Sequence, residues 1–497
     1  MPTLIDNTRP KTQTRTAVSA AARAKGKSQA AGGLYKPRQP IYPKLVHGKW
    51  RTIKWAMLIA TLAVYYVTPW IRWHRPDGFP QQAALVDFTG RRFYFFDIQL
   101  WPQEVYIFTG VLIAAALALF LVTALFGRLW CGYACPQTVW TDLYIVVERL
   151  FEGDRNARMR LDAAPWSFDK AWRKIGKHLV WLGIAFGTGG AWIFYFHDAP
   201  TLIRTFWIGQ APATAYVSCG LLTATTYIFA GWMREQVCTY MCPWPRIQGA
   251  MLDEHSLQVT YLRDRGETRG PHKKGQSWEG RGDCIDCRQC VVVCPMGIDI
   301  RDGSQLECIN CGLCVDACDE MMVKVGRPTG LIAYDTDHAV ASRACGQKSV
   351  YKPVRSRTVY YAAALAVVGG LTLWSLVTRP KADLHVIRDR NPIFVRMHDG
   401  AVRDGYTLKI TNRTFVDRRF QIAFDGVAGA RLSQPGGEPG RVSVLVPADQ
   451  VASVRVFVTA PPAADLAASV PGRFIVRADG AAAEAKTVFL SGAANPQ

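Results

Sequence analysis

Five stretches without one charged residue interrupt this chain of 497 residues, and they constrain its fold more than anything else in it. They run Trp55–Ile71, Val105–Phe126, Leu179–Phe196, Phe206–Met233 and Thr358–Thr378. Uncharged, mostly apolar runs of roughly 18 residues or more read as helices that cross a bilayer, because a helix satisfies all its backbone polar groups internally. The first run is the shortest, and Arg51, Lys54 and Arg72 flank it. The expected core is an α-helical membrane domain of five spans.

Charge placement orients these spans. Residues 1–54 carry twelve Lys/Arg against one acid, Asp6. Only Arg72, Arg75, Arg91 and Arg92 separate the first two runs, the region after the second is basic again, and the turn after the third has Arg204 alone. This alternation places the N-terminus in the cytoplasm. Residues 50–233 then form a four-span domain, 234–357 a cytoplasmic insert, 358–378 the fifth span and 380–497 a periplasmic domain, in the inner membrane of a Gram-negative bacterium. Residues 1–49 have no apolar signal-peptide core and read as a disordered basic arm facing the lipid bilayer. The net charge of +20 raises nucleic acid as a partner. The arm's aromatic residues are only Tyr35 and Tyr42, so no nucleic-acid partner is expected.

The insert contains eight cysteines within 35 residues. Cys284, Cys287, Cys290 and Cys294 make one C-x2-C-x2-C-x3-C run, and Cys308, Cys311, Cys314 and Cys318 a second. That is the bacterial two-cluster ferredoxin spacing, in which the fourth cysteine of each run serves the other cluster. The expected ligand sets are Cys284, Cys287, Cys290 and Cys318 for one 4Fe-4S cluster, and Cys308, Cys311, Cys314 and Cys294 for the other. Zinc sites use separated pairs, and disulfides need an oxidising compartment. All 14 cysteines precede residue 346, on the side of the chain expected to stay reduced. The insert is read as a ferredoxin-like α+β domain.

A second cysteine motif occurs twice. Cys131-Gly-Tyr-Ala-Cys135-Pro follows the second run and Cys238-Thr-Tyr-Met-Cys242-Pro the fourth, which suggests a duplicated hairpin. If the helix continues through the motif, cysteines four apart share one face, and each proline then ends the helix. Two such helices side by side would gather Cys131, Cys135, Cys238 and Cys242 at the membrane surface. Soft thiolates at that density suit Cu(I) first and zinc second. Cys219 and Cys345 stand alone and read as inert.

The tail reads as all-β. Alternating apolar positions recur at Tyr406, Leu408 and Ile410, at Phe420, Ile422 and Phe424, and at Val442, Val444 and Val446. They return at Val454, Val456 and Val458, at Phe474 and Val476, and at Val488 and Leu490, the pattern of a sandwich with no catalytic constellation. No C-x-x-C-H haem site or G-x-G-x-x-G nucleotide fingerprint occurs, so electrons must come from a partner or a quinol; the donor stays unknown.

Together these features resemble the cytochrome c oxidase accessory proteins called CcoG, FixG or RdxA. The likeness covers nearly the whole chain after the arm, and Asn391–Phe394 through Tyr406–Asn412 is similar to the opening of that family's C-terminal immunoglobulin-like domain. The resemblance implies maturation of a cbb3-type oxidase by supplying reduced copper, with oxidase subunits or their assembly factors as partners. On that reading electrons pass from the clusters to Cu(II), a substrate, at Cys131, Cys135, Cys238 and Cys242. One departure is Cys318-Asp319, where two-cluster ferredoxins often have Cys-Pro; it removes no ligand. A quinol-linked relay to a periplasmic reductase and a non-enzymatic scaffold docking through residues 380–497 are the alternatives.

Overall fold

The structure is a computed structural model and describes residues 40–491, apart from 274, 349, 437–439, 441 and 463–466. Most of the expected basic arm, residues 1–39, lies outside the described residues, as do the last six of the tail.

Three helices are long and apolar enough to cross a membrane: Pro102–Phe126, Ala213–Met233 and Ser356–Val377. The chain is therefore multi-pass. The other two expected spans are helical but differ in composition. Lys49–Val67 opens with Lys49, Arg51 and Lys54, and gives way to a 3-10 turn at Thr68–Trp70 before its apolar run ends. Phe168–Ile193 carries Asp169, Lys170, Arg173, Lys174 and Lys177 in its first turns, so its uncharged part is only the remainder. Small residues let the long helices approach closely, as is usual between helices in lipid. A Cβ on Gly110 would lie 2.3 Å from Thr372 Oγ1, and one on Gly189 2.6 Å from the Cys219 carbonyl oxygen. Cys219 is thus a buried packing residue at a helix crossing.

A small element unread in the sequence sits at one end. Strands β1 (Ala84–Asp87), β2 (Arg92–Phe95) and β3 (Ile98–Leu100) form an antiparallel meander between the helices Lys49–Val67 and Val105–Phe126. At the other end β4 (Gln258–Tyr261) and β5 (Ile332–Asp335) pair antiparallel and bracket the eight-cysteine block. The tail contributes β6 (Ala382–Arg388), β7 (Val395–Arg396), β8 (Val402–Asn412), β9 (Arg418–Asp425), β10 (Arg431–Ser433), β11 (Val442–Val446), β12 (Val451–Ala460), β13 (Ser469–Ala478) and β14 (Ala481–Leu490). One sheet runs β10-β12-β8-β6 with β7 beside β8, the other β11-β9-β13-β14. Tyr406, Leu408, Ile410, Phe420, Val456, Val458, Phe474 and Val476 fill one core between them, as their alternation predicts. The last strand departs by one register. Phe489 is buried and Val488 exposed, the reverse of the expected face, because β14 pairs Phe489 with Val470.

Candidate redox site

The cluster insert is built on short helices and left-handed turns. Cys290 lies on Gln289–Val292, and Cys314 and Cys318 sit one turn apart on one face of Leu313–Lys324. Asp286, Arg288, Asn310 and Gly312 all have positive φ, which curls the loops between cysteines tightly around their sulfurs. Burial pushes the thiols of Cys290, Cys294 and Cys318 up to about 12 and that of Cys308 to about 11. Cys314 is raised well above the usual thiol range, again by burial. Neighbouring sulfurs add to the effect in a telling pattern. Cys318 interacts with Cys290, Cys287 and Cys284, whereas Cys294 interacts with Cys311 and Cys308. The fourth cysteine of each run thus lies within electrostatic reach of sulfurs of the other run, a proximity that the expected exchange of fourth ligands requires, while Cys314 feels both Cys294 and Cys290. Thiols buried this deeply hold their protons at neutral pH unless strong positive charge displaces them, which iron provides. The donor set fits two 4Fe-4S groups. Among the described residues no three His, Cys, Asp or Glu side chains converge at single-ion distance.

The duplicated motifs also converge, but not by the expected route. Neither long helix continues through its motif. The first breaks at Gly127 (φ 61°) and the second at Arg234 (φ 45°), in each copy four residues before the first cysteine. Cys131 then lies on the short helix Leu129–Tyr133, and Cys238 on a π-helical turn, Val237–Met241. Cys135 and Cys242 are extended. The prolines also start new helices: Pro136 opens Pro136–Glu152, and Pro243 caps Trp244–Met251. Burial pushes the Cys131 thiol up to about 12, helped by Cys135, Cys238 and Cys242. Cys238 rises to about 12 by burial and then by Cys135 and Cys242. All four sulfurs thus lie within electrostatic reach of one another.

This quartet abuts the second cysteine run. Cys131 packs in one apolar cluster with Ile309, Cys311 and Cys314. The Tyr133 hydroxyl donates to the Cys311 carbonyl at 3.0 Å. Arg128 reaches the carbonyls of Leu306, Cys308 and Pro245. Cys131 Sγ donates to Gln248 Oε1 at 3.1 Å, and Gln248 is wholly buried. Gln248, Arg128 and Tyr133 were not singled out as site residues by sequence reading. One available signal was the basic residue a few positions before each motif, Arg128 and Arg234.

Comparison with known proteins places this arrangement. A 4Fe-4S dicluster domain model matches residues 233–337, a 4Fe-4S binding domain model 108–152, and a model of the "IG-like fold at C-terminal of FixG" 372–492. The nitrogen fixation protein FixG of Rhizobium meliloti is 49% identical over 465 residues, covering 87% of this chain and 89% of that protein. Protein RdxA of Cereibacter sphaeroides is 48% identical, covering 90% of this chain and 95% of its own length. The chain belongs to the CcoG/FixG/RdxA family of iron–sulfur oxidoreductases. A crystal structure of a FixG-related protein from Vibrio parahaemolyticus aligns with 22% of this chain and 95% of its own, at 24% identity and a TM-score of 0.19. Within the FixG/RdxA frame, the dicluster match contains all eight clustered cysteines as well as Cys238 and Cys242. The shorter 4Fe-4S match falls on the first motif and holds only Cys131 and Cys135.

Proposed function

We propose that this chain is a membrane-bound electron-transfer protein that reduces Cu(II) to Cu(I) for assembly of a cbb3-type cytochrome c oxidase. The observation that carries the reading is the seating of the first cysteine motif on the second cysteine run: Cys131 packs on the apolar cluster that contains Cys311, and the Tyr133 hydroxyl donates to the Cys311 carbonyl at 3.0 Å. This neighbourhood supports electron transfer between the second cysteine run and the quartet. Cys284, Cys287, Cys290 and Cys318 hold one 4Fe-4S cluster, and Cys308, Cys311, Cys314 and Cys294 the other; when bound, these groups supply one-electron carriers. Cys131, Cys135, Cys238 and Cys242 take copper as substrate, and soft thiolates favour the reduced ion. Gln248 fixes the Cys131 sulfur by its hydrogen bond. The chain crosses the inner membrane five times, with the cysteine block in the cytoplasm and residues 380–497 in the periplasm. That tail docks the oxidase or its assembly factors.

Chemically reduced protein should be reoxidised by Cu(II), with Cu(I) captured by a chromogenic chelator. Cys131→Ser and Cys242→Ser should slow this at least tenfold while the cluster absorbance stays intact. Equal copper reduction by these variants would remove the quartet from the reaction. The 4Fe-4S match over 108–152 favours a second reading, in which the quartet holds a cluster of its own. Iron analysis separates the two: about eight iron atoms per chain for two clusters, about twelve for three.

A further inference from the structure

A cavity of about 790 Å³ lies between Phe168–Ile193, Pro136–Glu152 and the π-helical segment Tyr227–Met233. Its size falls in the range of small-molecule sites, and π-helical turns recur at functional sites. The rim is apolar and exposed: Ile175, Leu179, Leu182 and Trp232 line it and face outward from the helices. In a membrane protein that rim meets lipid. Deeper in, His178 stacks on Trp232 with ring centroids 5.5 Å apart and meets Trp181 edge-on at 5.1 Å. Its Nδ1 lies 3.0 Å from the Tyr227 hydroxyl.

The polar groups in the wall neutralise one another. Arg158 and Arg234 both pair with Glu148. Lys174 and Lys177 pair with Glu152 at 2.9 and 2.8 Å. Asp162 and Glu235 complete the lining, so four cations face four carboxylates. A wall of zero net charge suits a neutral occupant and not a phosphate headgroup. One side chain nevertheless has two donors left over: Arg158 is 2% exposed, its guanidinium lies 5.3 Å from the Tyr42 ring centroid, and its Nε and Nη1 have no hydrogen-bond acceptor among the described residues. The cavity also borders the redox site. Arg234 and Glu235 line both it and a smaller cavity shared with Cys238, Pro295 and Met296, next to Cys294.

We infer that this cavity binds a membrane quinol, an isoprenoid hydroquinone entering from the bilayer, as the electron donor. The assignment rests on the reading of the chain as a copper-reducing electron carrier, and it names the donor for that reaction. Aromatic walls hold the ring, the apolar rim admits the tail, and Arg158 with the His178–Tyr227 pair addresses the two ring oxygens. The hydroquinone loses two electrons and two protons to become the quinone. Two Cu(II) ions take the electrons and become two Cu(I). The protons leave through His178 and the Lys177–Glu152 pair to water at the membrane surface.

The test uses the full-length, cluster-loaded protein in nanodiscs, with decylubiquinone as the binding probe and decylubiquinol as the reductant. Saturable quenching of tryptophan fluorescence by decylubiquinone is expected. Binding should weaken at least tenfold in His178→Leu, and also in Ala171→Phe, which puts a bulky ring at a small lining position and removes no polar group. Quenching that never saturates, that both variants leave as strong as in the unaltered protein, or that is displaced by phosphatidylglycerol would overturn the assignment. In the unaltered protein, copper reduction driven by dithionite but not by decylubiquinol would sink the quinol site alone. Cluster reduction by decylubiquinol without Cu(I) formation would sink the copper reading alone.

Discussion

Gly132 is the residue at which the first cysteine motif touches the cluster insert. A Cβ there would stand 2.6 Å from the Ile309 carbonyl oxygen and 3.2 Å from Cys311 Cα. Both neighbours are backbone, so neither can swing aside. Gly132→Ala should force the motif and the insert apart at a cost of about 1–3 kcal/mol. Stopped-flow mixing of reduced protein with Cu(II) should then show slower reoxidation while the cluster absorbance is unchanged; an unaltered rate would mean that this contact does not gate transfer. Asp142 makes a second prediction. Arg51 Nη1 donates to both its carboxylate oxygens at 2.9 and 3.0 Å, and Lys54 lies 3.9 Å away. Burial alone would raise the Asp142 carboxyl, but Lys54 and Arg51 outweigh it and hold it below the usual range. Breaking such a buried pair costs about 3–5 kcal/mol. Because the folded-state value is depressed, that stability is present above the unfolded Asp value of about 3.9 and lost as pH falls through the folded one. Asp142→Asn should therefore melt below the parent protein at neutral pH, and the gap should close in acid. A gap that stays constant as pH falls through this range would show that the pair is not what the substitution removes.

At the scale of elements, the insert and the membrane helices are joined by a helix cap supplied from elsewhere in the chain. The helix Lys49–Val67 has no side-chain cap of its own at Gly48. Asp316, on Leu313–Lys324 between Cys314 and Cys318, accepts from the backbone N–H of Trp50 at 3.2 Å and of Arg51 at 2.8 Å. A carboxylate there satisfies orphan donors and meets the positive end of the helix dipole. Asp316→Ala should cost about 0.5–2 kcal/mol, and hydrogen exchange should quicken at Trp50 and Arg51 with the clusters still bound. Unchanged exchange at those amides would remove the cap from the account. No sequence pattern announces this contact, since its partners lie 265 residues apart. What could be read was local: cysteine spacing within the insert, and alternation along β8, β9 and β12. What escaped depends on backbone breaks or long-range pairing. Gly127 and Arg234 turn the chain ahead of each motif, so the cysteines meet without the continuous helix that would have put each pair on one face; the pairing of β14 selects Phe489 over Val488, and the short meander β1–β3 carries too few residues for its alternation to register.

For the whole molecule, the question is whether the tail swings freely or is held against the membrane domain. Several contacts hold it. Arg92, in β2, donates from Nε to both Asp449 oxygens at 3.1 and 3.0 Å while its guanidinium lies 3.4 Å from the Trp101 ring centroid. Phe79 and Phe415 meet edge to face at 5.0 Å. The centre of the junction is Glu104, 1% exposed, which immediately precedes the long helix Val105–Phe126. Its carboxylate accepts from the Trp101 N–H at 3.0 Å and pairs with Arg413 at 3.4 Å and Arg379 at 3.8 Å. Arg413 in turn pairs with Asp383 in β6 at 3.0 Å. One buried carboxylate thus ties the start of a membrane helix to the linker before the tail and to the tail itself. Glu104→Gln removes the charge that both arginines face and should cost about 3–5 kcal/mol at the junction. The tail has its own core, so it should stay folded while its attachment loosens. Hydrogen exchange should accelerate around Arg379–Asp383 and Arg413 but not at the core of β8 or β13, and cluster absorbance should not change. Uniform exchange through the junction would mean that Arg92–Asp449 and the aromatic contact suffice to hold the tail. Protection lost throughout the tail would mean instead that docking and folding of the tail are one event.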